Sequence, residues 1–414
     1  MDPPRALSPP SVSRPRASRD GRGQGEDSGG SAGHVLAIIR ASDGLTRAEI
    51  IERTGLSRST VGNRLDALHA AGLISLGSPT SAARGRPPTQ FHFRADRGVL
   101  LIAEAGATGV RLALTDLAGT IRDQAKAALE VTLGPKDWLA RVEALFDDLL
   151  ARAGRDAGAV KGIGIALPGP VDFERGVVVS PPIMTGWDGY PIRSWFAERF
   201  DCPVLVDNDA NAMTVGEHRA SHADRSSMVM LKLATGIGAG IIAGGQIYRG
   251  ADGAAGDIGH IQISPPDQGP APLCRCGNLG CIEAYAGGWA LIRDLNAGGR
   301  AVSSVAEVVA LVGSGDPLAT ALSRRAGRLI GIALSDAVSL LNPGVVVVGG
   351  ELAAAANELF AGIRESVYAR SLPLATRRLE IVAAQLGDVA GVSGLAATLT
   401  DHIFEAARID AALA

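Results

Sequence analysis

The spacing of apolar residues divides the chain into three parts. Residues 1–32 contain mostly Pro, Ser, Gly and Arg, with almost no apolar residue. Such a segment cannot bury enough surface to offset its ordering entropy, so we predict a disordered tail. Residues 33–95 begin with an apolar face at helical spacing, whereas residues 96–414 alternate apolar strands with helical patterns. We therefore predict a small helical domain followed by a larger α/β domain.

The small domain has the pattern of a winged helix-turn-helix. Thr46 followed by Glu49 predicts a capping box at the start of one short helix, which a Thr-Gly pair ends. Ser57 can cap the next helix, and two short helices joined by a Gly-containing turn form a helix-turn-helix. Residues 73–93 then read as a strand, a hairpin tip and a returning strand, which is a wing. An αα-hairpin used only for packing is the alternative.

The predicted winged helix carries a local excess of positive charge. The chain as a whole has a net charge of −3, so DNA binding must come from such a patch. Residues 57–94 contain five arginines and one acid. A recognition helix reaches base edges and phosphates, while a wing contacts the backbone or the minor groove. The candidate DNA contacts are Arg58, Ser59, Thr60, Asn63 and Arg64 on the helix, and Arg84 and Arg86 on the wing.

An internal repeat divides the α/β domain. Residues 101–121 and 230–247 share the order strand, Ala-Thr-Gly turn, strand, glycine turn and strand, with a one-residue slip. A repeat at such a separation indicates a duplicated domain rather than a solenoid. Two similar lobes that face each other leave a cleft, where small ligands usually bind. We predict that lobe one comprises 96–209 with a C-terminal helix at 391–414, and that lobe two comprises 210–390.

Three of the four cysteines lie within eight residues. Cys274, Cys276 and Cys281 follow the segment that contains His260. One histidine and three cysteines complete a tetrahedral zinc site with no open position, which is a structural site. Disulfides fit less well with four cysteines in 414 residues, and a loop with ordinary buried thiols is the other alternative. Cys202 lies apart, beside a proline, and we predict that it belongs to the core.

Composition favours a soluble protein. Hydrophobic residues make up 46% and charged residues 20% of the chain. No run approaches the ~20 apolar residues that span a bilayer, so we predict no membrane partner. The N-terminal residues include Pro and Arg where a signal peptide needs an apolar core. We therefore expect a cytoplasmic location and reduced thiols.

Polar and glycine-rich segments at strand ends are candidates for ligand binding. The apolar strand 204–206 runs into Asp-Asn-Asp and then into a helix. A carboxylate there can accept a proton from a sugar hydroxyl, although Asp and Asn are also the commonest helix caps. Glycine turns can cradle phosphate with backbone N–H groups, but they also occur between strands for steric reasons. The candidate phosphate-turn residues are Gly106, Thr108, Thr235, Gly236, Gly238, Gly349 and Gly350.

Together these segments resemble the ROK family, which groups sugar-responsive repressors, open reading frames and sugar kinases. The resemblance covers residues 35–397. TGIGAGIIAGGQIYRGADGAAGDIGH (235–260) is similar to the family signature, and CRCGNLGCIE (274–283) is similar to its zinc segment. The resemblance implies an actin-like fold of two lobes and a dimer or tetramer. Members with a winged helix in front resemble repressors of sugar-catabolism operons, and members without it resemble kinases such as glucokinase.

The resemblance also implies roles for residues in the cleft. Asn208 and Asp209 match the sugar-binding pair, and Asp209 also matches the general base of the kinases. His260 and Glu283 match sugar contacts, and His260 matches a zinc ligand as well. Asp257 stands where the family usually has glutamate, so its side chain is one methylene shorter. These five residues are the predicted sugar-binding set.

The first phosphate turn departs from the kinase pattern. Kinases of the family have Asp-x-Gly-Gly-Thr there, whereas residues 104–108 read Glu-Ala-Gly-Ala-Thr, followed by Gly109 where lysine is frequent. The longer acid and the added methyl group crowd a site that needs close backbone approach to phosphate and Mg²⁺. We therefore predict a repressor of carbohydrate-metabolism genes, with double-stranded operator DNA and a sugar or sugar phosphate as partners. An ATP- and Mg²⁺-dependent hexose kinase with Asp209 as its base is the alternative.

Overall fold

The computed structural model describes residues 30–77, 89–106, 109–265 and 269–414. The predicted tail falls outside these ranges except at its end, where Ser31 already caps the first helix. Three candidate site residues, Arg84 and Arg86 of the wing and Thr108 of the first phosphate turn, also lie outside the described residues.

The N-terminal domain is a winged helix. Its elements are α1 (Ala32–Arg40), β1 (Leu45–Thr46), α2 (Arg47–Thr54), α3 (Arg58–Ala70), β2 (Ile74–Gly77) and β3 (Gln90–Phe93). The capping box predicted at Thr46 and Glu49 is present at the start of α2. Gly55 ends that helix in the left-handed conformation, and Ser57 caps α3. The strands form an antiparallel sheet in the order β1-β3-β2.

Lobe one is a five-stranded sheet. Its elements are β4 (Val99–Ala105), β5 (Val110–Asp116), β6 (Ile121–Ala127), α4 (Pro135–Arg152), β7 (Val160–Leu167), β8 (Val171–Asp172), β9 (Val177–Val178), α5 (Ile192–Ala197) and β10 (Val204–Asn208). The main sheet has the order β10-β7-β4-β5-β6. Aromatic side chains of α4 and α5 fill the core on one face, and Cys202 packs against this core half-buried. Burial raises the pKa of the Cys202 thiol to about 11, as expected for an unreactive core cysteine.

Helix α6 (Asp209–Ser221) leads from lobe one into lobe two. The remaining elements are β11 (Ser227–Leu233), β12 (Ile237–Ala243), β13 (Gln246–Ile247), α7 (Ile282–Ala286), α8 (Gly288–Ala297), α9 (Val305–Gly313), α10 (Pro317–Leu341), β14 (Val345–Gly349), α11 (Ala356–Arg370), α12 (Pro373–Thr376), β15 (Glu380–Ala383), α13 (Ala390–Ile403) and α14 (Ala406–Leu413). The second sheet has the order β13-β12-β11-β14-β15.

The two sheets have the same topology. In each, the first three strands form an antiparallel meander, and the fourth and fifth strands run parallel to the first. The repeat read from the sequence corresponds to the meanders β4-β5-β6 and β11-β12-β13. The turn after β4 and the turn after β11 therefore lie at equivalent positions, one in each lobe.

Two glycines fix how the central helices cross. A Cβ atom at Gly216 of α6 would lie 2.1 Å from the carbonyl oxygen of Ala390, and one at Gly394 of α13 would lie 1.8 Å from that of Ala212. Only glycine allows this approach, so α6 and α13 pack backbone to backbone. Helix α13 also covers the lobe-one sheet, so the predicted C-terminal helix 391–414 is two helices, α13 and α14, with different partners.

The winged helix is attached to the lobes by α14. The backbone N–H of Gly33 in α1 donates to Asp410 Oδ1 at 2.8 Å. Any side chain at Gly33 would clash with the backbone of Ala406. One apolar core runs without interruption from the winged helix through α13 and α14 to the lobe-one sheet. The winged helix is therefore not a freely jointed domain.

No single helix in the described ranges is long and apolar enough to cross a membrane. Among the described helices, one bent pair, α9 and α10, is together long and apolar enough, and these two helices meet at 111°. Both helices contribute to the core of lobe two.

Candidate functional site

A cavity of about 740 Å³ lies between the two lobes. It is bounded by the ends of β4 and β10, the start of α6 and the turn between β11 and β12. Most of the predicted ligand residues line it: Gly106, Asn208, Asp209, Thr235, Gly236, Gly238, Asp257, His260, Glu283 and Gly350. Gly349 does not, because it is buried within β14, where a Cβ would lie 2.8 Å from Ala384 and from Met230.

Asp209 forms an ion pair that the sequence did not reveal. Its carboxylate, almost fully buried, accepts a hydrogen bond from Lys232 Nζ near the end of β11. The one feature of the sequence that points to Lys232 is that this residue, one of four lysines in the chain, lies in an apolar strand just before a glycine turn. Because Lys232 is in lobe two, the pair joins the lobes at the base of the cavity.

Glu104 lies close to this pair. Burial raises the pKa of the Glu104 carboxyl to about 7; the charge of Lys232 opposes this shift, and the charge of Asp209 adds to it. The carboxylate oxygens pack against Gly391, where a Cβ would lie 2.1 Å from Oε1. Two acids and one ammonium group therefore occupy the bottom of the cavity, and one of the acids is partly protonated near neutral pH.

Asn208 both caps α6 and lines the cavity. Its Oδ1 accepts hydrogen bonds from the backbone N–H groups of Ala210 at 2.9 Å and Asn211 at 3.2 Å. Its Nδ2 donates to the carbonyl oxygen of Gly169 at 2.9 Å. The helix-capping role that the sequence left open is thus present in the structure. Both ends of the amide are held, which fixes the start of α6 relative to lobe one.

Glu283 supports the second glycine turn. Its carboxylate accepts from the backbone N–H of Ile237 at 3.0 Å and from Trp289 Nε1 at 3.2 Å. A Cβ at Gly236 would lie 2.4 Å from Glu283 Oε2, so a side chain there would displace the Glu283 carboxylate. The acid on α7 therefore shapes the turn as well as facing the cavity.

A second ion pair joins the lobes beside the cavity. Arg249, which follows β13, donates to the buried carboxylate of Asp207 at 2.6 Å, and its guanidinium stacks on the ring of Phe173 at 3.9 Å. Asp207 directly precedes the predicted sugar-binding pair. Sequence patterns gave no indication of Arg249, because its partners lie more than 40 residues away.

Across the mouth of the cavity, Asp388 accepts from Lys126 at 2.5 Å and from Arg111 at 2.8 Å. The Lys126 hydrogen bond lowers the pKa of Asp388, and the Arg111 charge adds to this effect. Lys126 lies on the edge strand β6 of lobe one, Arg111 lies on the neighbouring strand β5, and Asp388 lies two residues before α13. All three residues line the cavity.

The four predicted metal ligands come together. One ligand atom from each of His260, Cys274, Cys276 and Cys281 lies within 4.8 Å of the others. The Sγ atoms of Cys276 and Cys281 are 3.6 Å apart, and Cys274 Sγ lies 3.6 Å from His260 Nδ1. Tetrahedral coordination at ~2.3 Å places sulfurs about 3.8 Å apart, so the cluster could hold a metal ion. His260 Nε2 is on the Asp257 side, 3.9 Å from Oδ1 of that residue.

The predicted recognition helix is α3. Arg58, Ser59, Asn63 and Arg64 are exposed, whereas Thr60 is half-buried and shares hydrogen bonds with Ser57. Arg64 Nε donates to the carbonyl oxygen of Gly30 at 3.1 Å. Ser59 and Asn63 lie on the face of α3 opposite the apolar residues that pack into the winged-helix core, whereas Arg58 lies in the first turn and Arg64 at the edge of that face.

Comparison with known proteins identifies the two parts of the chain separately. The ROK family model matches residues 101–402, about three quarters of the chain. The chain belongs to the ROK family. The MarR family model matches residues 29–85, which include the three helices and strand β2 of the winged helix. The predictions of ROK membership and of a winged helix before two actin-like lobes are thereby confirmed.

Relatives of this ROK chain include repressors and kinases. The xylose repressor of Bacillus spizizenii is 27% identical over 376 residues, which is 91% of this chain and 96% of that protein. A crystal structure of a ROK family transcriptional regulator, a homolog of the E. coli MLC protein, superposes with a TM-score of 0.78 at 26% identity, covering 91% and 97% of the two chains. The ROK glucokinase of Streptomyces griseus, solved with glucose and AMPPNP, has a TM-score of 0.63 at 29% identity and covers 73% of this chain and 99% of its own.

The raised pKa of Glu104 predicts a pH-dependent loss of stability in this ROK protein. Below about pH 4.5 the carboxyl is protonated in both the folded and the unfolded chain, so it has no effect. As the pH rises towards 7 the unfolded chain loses this proton first, and the folded state becomes less stable by about 3 kcal/mol. Glu104→Gln should remove this pH-dependent loss of stability, which is measured by comparing the free energy of urea unfolding at pH 5 and at pH 8. The exposed Glu130→Gln is the control and should behave as wild type; an identical pH dependence in both variants would contradict the assignment.

Proposed function

We propose that the protein is a sugar-responsive transcriptional repressor. The observation that carries the proposal is the combination of a winged helix and a polar interlobe cavity in one chain, attached through one continuous apolar core. The xylose repressor relative covers both parts, whereas the glucokinase relatives cover about 73% of the chain. Arg58, Asn63 and Arg64 would contact operator DNA in the major groove, with Ser59 and Thr60 at the N-terminal turn.

The cavity is suited to holding a sugar. Asp209, Asn208, Glu283 and His260 present carboxylate, amide and imidazole groups that match vicinal hydroxyls, with Asp257 at the rim. Asp209 has two carboxylate oxygens, so it can accept from a sugar hydroxyl while it pairs with Lys232. Xylose is the first candidate ligand because of the repressor relatives, followed by glucose and a sugar phosphate.

The second candidate function is an ATP-dependent hexose kinase. It is favoured by the second glycine turn, Thr235 to Gly238, which faces the cavity together with Gly350, and by Asp209 as a general base. It is opposed by Lys232, whose ammonium group already pairs with the Asp209 carboxylate that a general base would have to use. Glu104 also opposes it, because its side chain is one methylene longer than the aspartate of the kinase pattern and crowds the site where phosphate and Mg²⁺ would bind.

We further propose that the cluster of His260 and three cysteines binds a structural zinc ion. Thiolate and imidazole are suitable zinc ligands, and four protein ligands leave no open coordination position. The ion would fix the loop between His260 and α7, and would thereby position both His260 and Glu283 at the cavity.

We also propose that the protein is a homodimer or homotetramer in the cytoplasm, which would place two recognition helices on a two-fold operator.

The test is a fluorescence anisotropy titration with DNA from upstream of the protein's own gene, at one fixed salt concentration. We expect specific binding that D-xylose, D-glucose or glucose 6-phosphate changes by about tenfold or more. Asn63→Ala should weaken specific binding about tenfold because one base contact is lost, with little effect on sugar affinity. No specific binding, together with ATP turnover on the same sugars, would support the kinase instead.

A further inference from the structure

Helix α6 connects the cavity with the winged helix. Its cap Asn208 and its first residue Asp209 line the cavity. Near its other end, Arg219 donates to Asp401 of α13, and Asp401 also accepts from Arg40 of α1 at 3.4 Å. Thirteen residues of α-helix span about 20 Å. One helix therefore begins at the candidate sugar site and ends at an ion-pair network that includes the winged helix.

Both lobes hold α6. At its start it continues directly from β10 of lobe one. Along its length Thr214 packs so closely on β12 of lobe two that a Cβ at Gly240 would lie 2.0 Å from Thr214 Oγ1. The fully buried Glu217 accepts from the backbone N–H groups of Gln385 and Leu386, at 3.0 and 2.7 Å, just after β15. A change in the angle between the lobes must therefore move α6 or strain its contacts.

Movement of α6 is passed to α13. The helices touch through backbone atoms at Gly216 and Gly394, where no flexible side chain lies between them. Close-packed contacts of this kind transmit a displacement rather than absorb it. The C-terminal half of α13 carries Asp401, and the chain then continues through Phe404 into α14.

The end of α13 contacts the winged helix through more than one group. The ring of Phe404 meets the ring of Phe93 from β3 edge to face at 5.0 Å. The guanidinium of Arg40 lies over the Phe404 ring at 4.9 Å while it pairs with Asp401. Arg40 is mostly buried, so its position is fixed by these partners. The Asp401 carboxylate joins α6, α13 and α1.

We propose that α6, acting through the Arg219–Asp401–Arg40 network, transmits occupancy of the cavity to the recognition helix. The proposal rests on the proposed function, because it takes a sugar to be the occupant. A ligand shifts a conformational equilibrium only as far as it prefers one state over the other. In this proposal the sugar-free and sugar-bound states differ in the angle between the lobes. Because the network ties α1 to α6 and α13, the position of α1 also differs between the two states.

The test uses hydrogen–deuterium exchange of the full chain with and without D-xylose, D-glucose or glucose 6-phosphate. In wild type, a sugar that binds should change the exchange rate of α1 and α14 by about threefold or more. Asp401→Ala should reduce this change to less than a third of the wild-type change, while the Kd for sugar stays within about twofold. Arg219→Gln removes only the ion pair between α6 and Asp401 and leaves the Arg40–Asp401 pair intact. It should reduce the sugar-dependent change in exchange as much as Asp401→Ala does.

The matched control is Asp147→Ala. Asp147 is also a helical, half-exposed acid held by arginine, at 2.5 Å from Arg199, but it lies on α4 away from the network. It should respond to sugar as wild type does. A wild-type response in Asp401→Ala, or no response of α1 and α14 in wild type saturated with sugar, would overturn the proposal. Failure of operator binding in the anisotropy titration would instead count against the repressor, and binding of none of the three probes would count against both.

Discussion

Replacing Cys281 by serine should lower the melting temperature by about 10 °C and release the bound metal. Cys281 is fully buried and is the residue after which α7 begins, so its loss opens the coordination shell at the base of a helix. Structural zinc contributes ~10–16 kcal/mol in isolated zinc-finger peptides. We expect about 3 kcal/mol here, because the rest of lobe two has its own core, and this corresponds to the stated shift.

Differential scanning calorimetry and metal analysis of the purified protein measure this effect. Cys202→Ser is the control, since Cys202 is a half-buried thiol outside the cluster, and it should keep both the metal and a melting temperature within about 2 °C of wild type. Treatment of wild type with a strong chelator should reproduce the Cys281→Ser result. Wild type that contains no metal, or equal melting temperatures for the two serine variants, would show that the cluster is an ordinary group of buried thiols.

Substituting Asp209 by asparagine should abolish the sugar response. The change removes a buried charged acceptor, which is worth about 1.5–3 kcal/mol per hydrogen bond, so the sugar Kd should rise about 10- to 150-fold. The DNA-binding surface is unchanged, and specific operator binding without sugar should persist. Isothermal titration calorimetry for sugar and anisotropy for DNA, on the same preparation, separate the two activities.

Asp257→Asn is the matched control for this substitution. Asp257 also lines the cavity but is largely exposed, so the loss of its charge should change the sugar Kd by less than about threefold. Because Asp209→Asn leaves Lys232 without its partner, the melting temperature of both variants must be measured alongside. Loss of operator binding in a folded Asp209→Asn protein would contradict the separation of sugar site and DNA surface.

Local signals account for the parts of the fold that sequence analysis predicted. The capping box at Thr46 and Glu49, the left-handed Gly55 and the cap at Ser57 involve residues at most four positions apart. The duplicated lobes were visible because each meander repeats the same turn chemistry. The cluster of His260 and three cysteines could be predicted because the cysteines are close in sequence and cysteine is rare in this chain.

The charge pairs in the cleft could not be predicted in this way. Lys232 meets Asp209 only because β11 and the start of α6 approach each other across the cleft. Arg249 and Asp207 are 42 residues apart, and Arg219 and Asp401 are 182 apart. Such contacts depend on how the lobes pack, and a single arginine or lysine has no periodicity that identifies its partner. The function of α6 as a link between sites follows from packing alone.

The fixed ammonium group of Lys232 has a consequence for what the cell can signal through this protein. In sugar kinases a mobile divalent ion and a nucleotide supply the positive charge and the second ligand of the cleft. Here a covalently attached cation balances Asp209 permanently. Occupancy of the cleft would therefore follow the concentration of sugar without a co-requirement for magnesium or nucleotide. Transcription under its control would report nutrient supply independently of the energy charge of the cell.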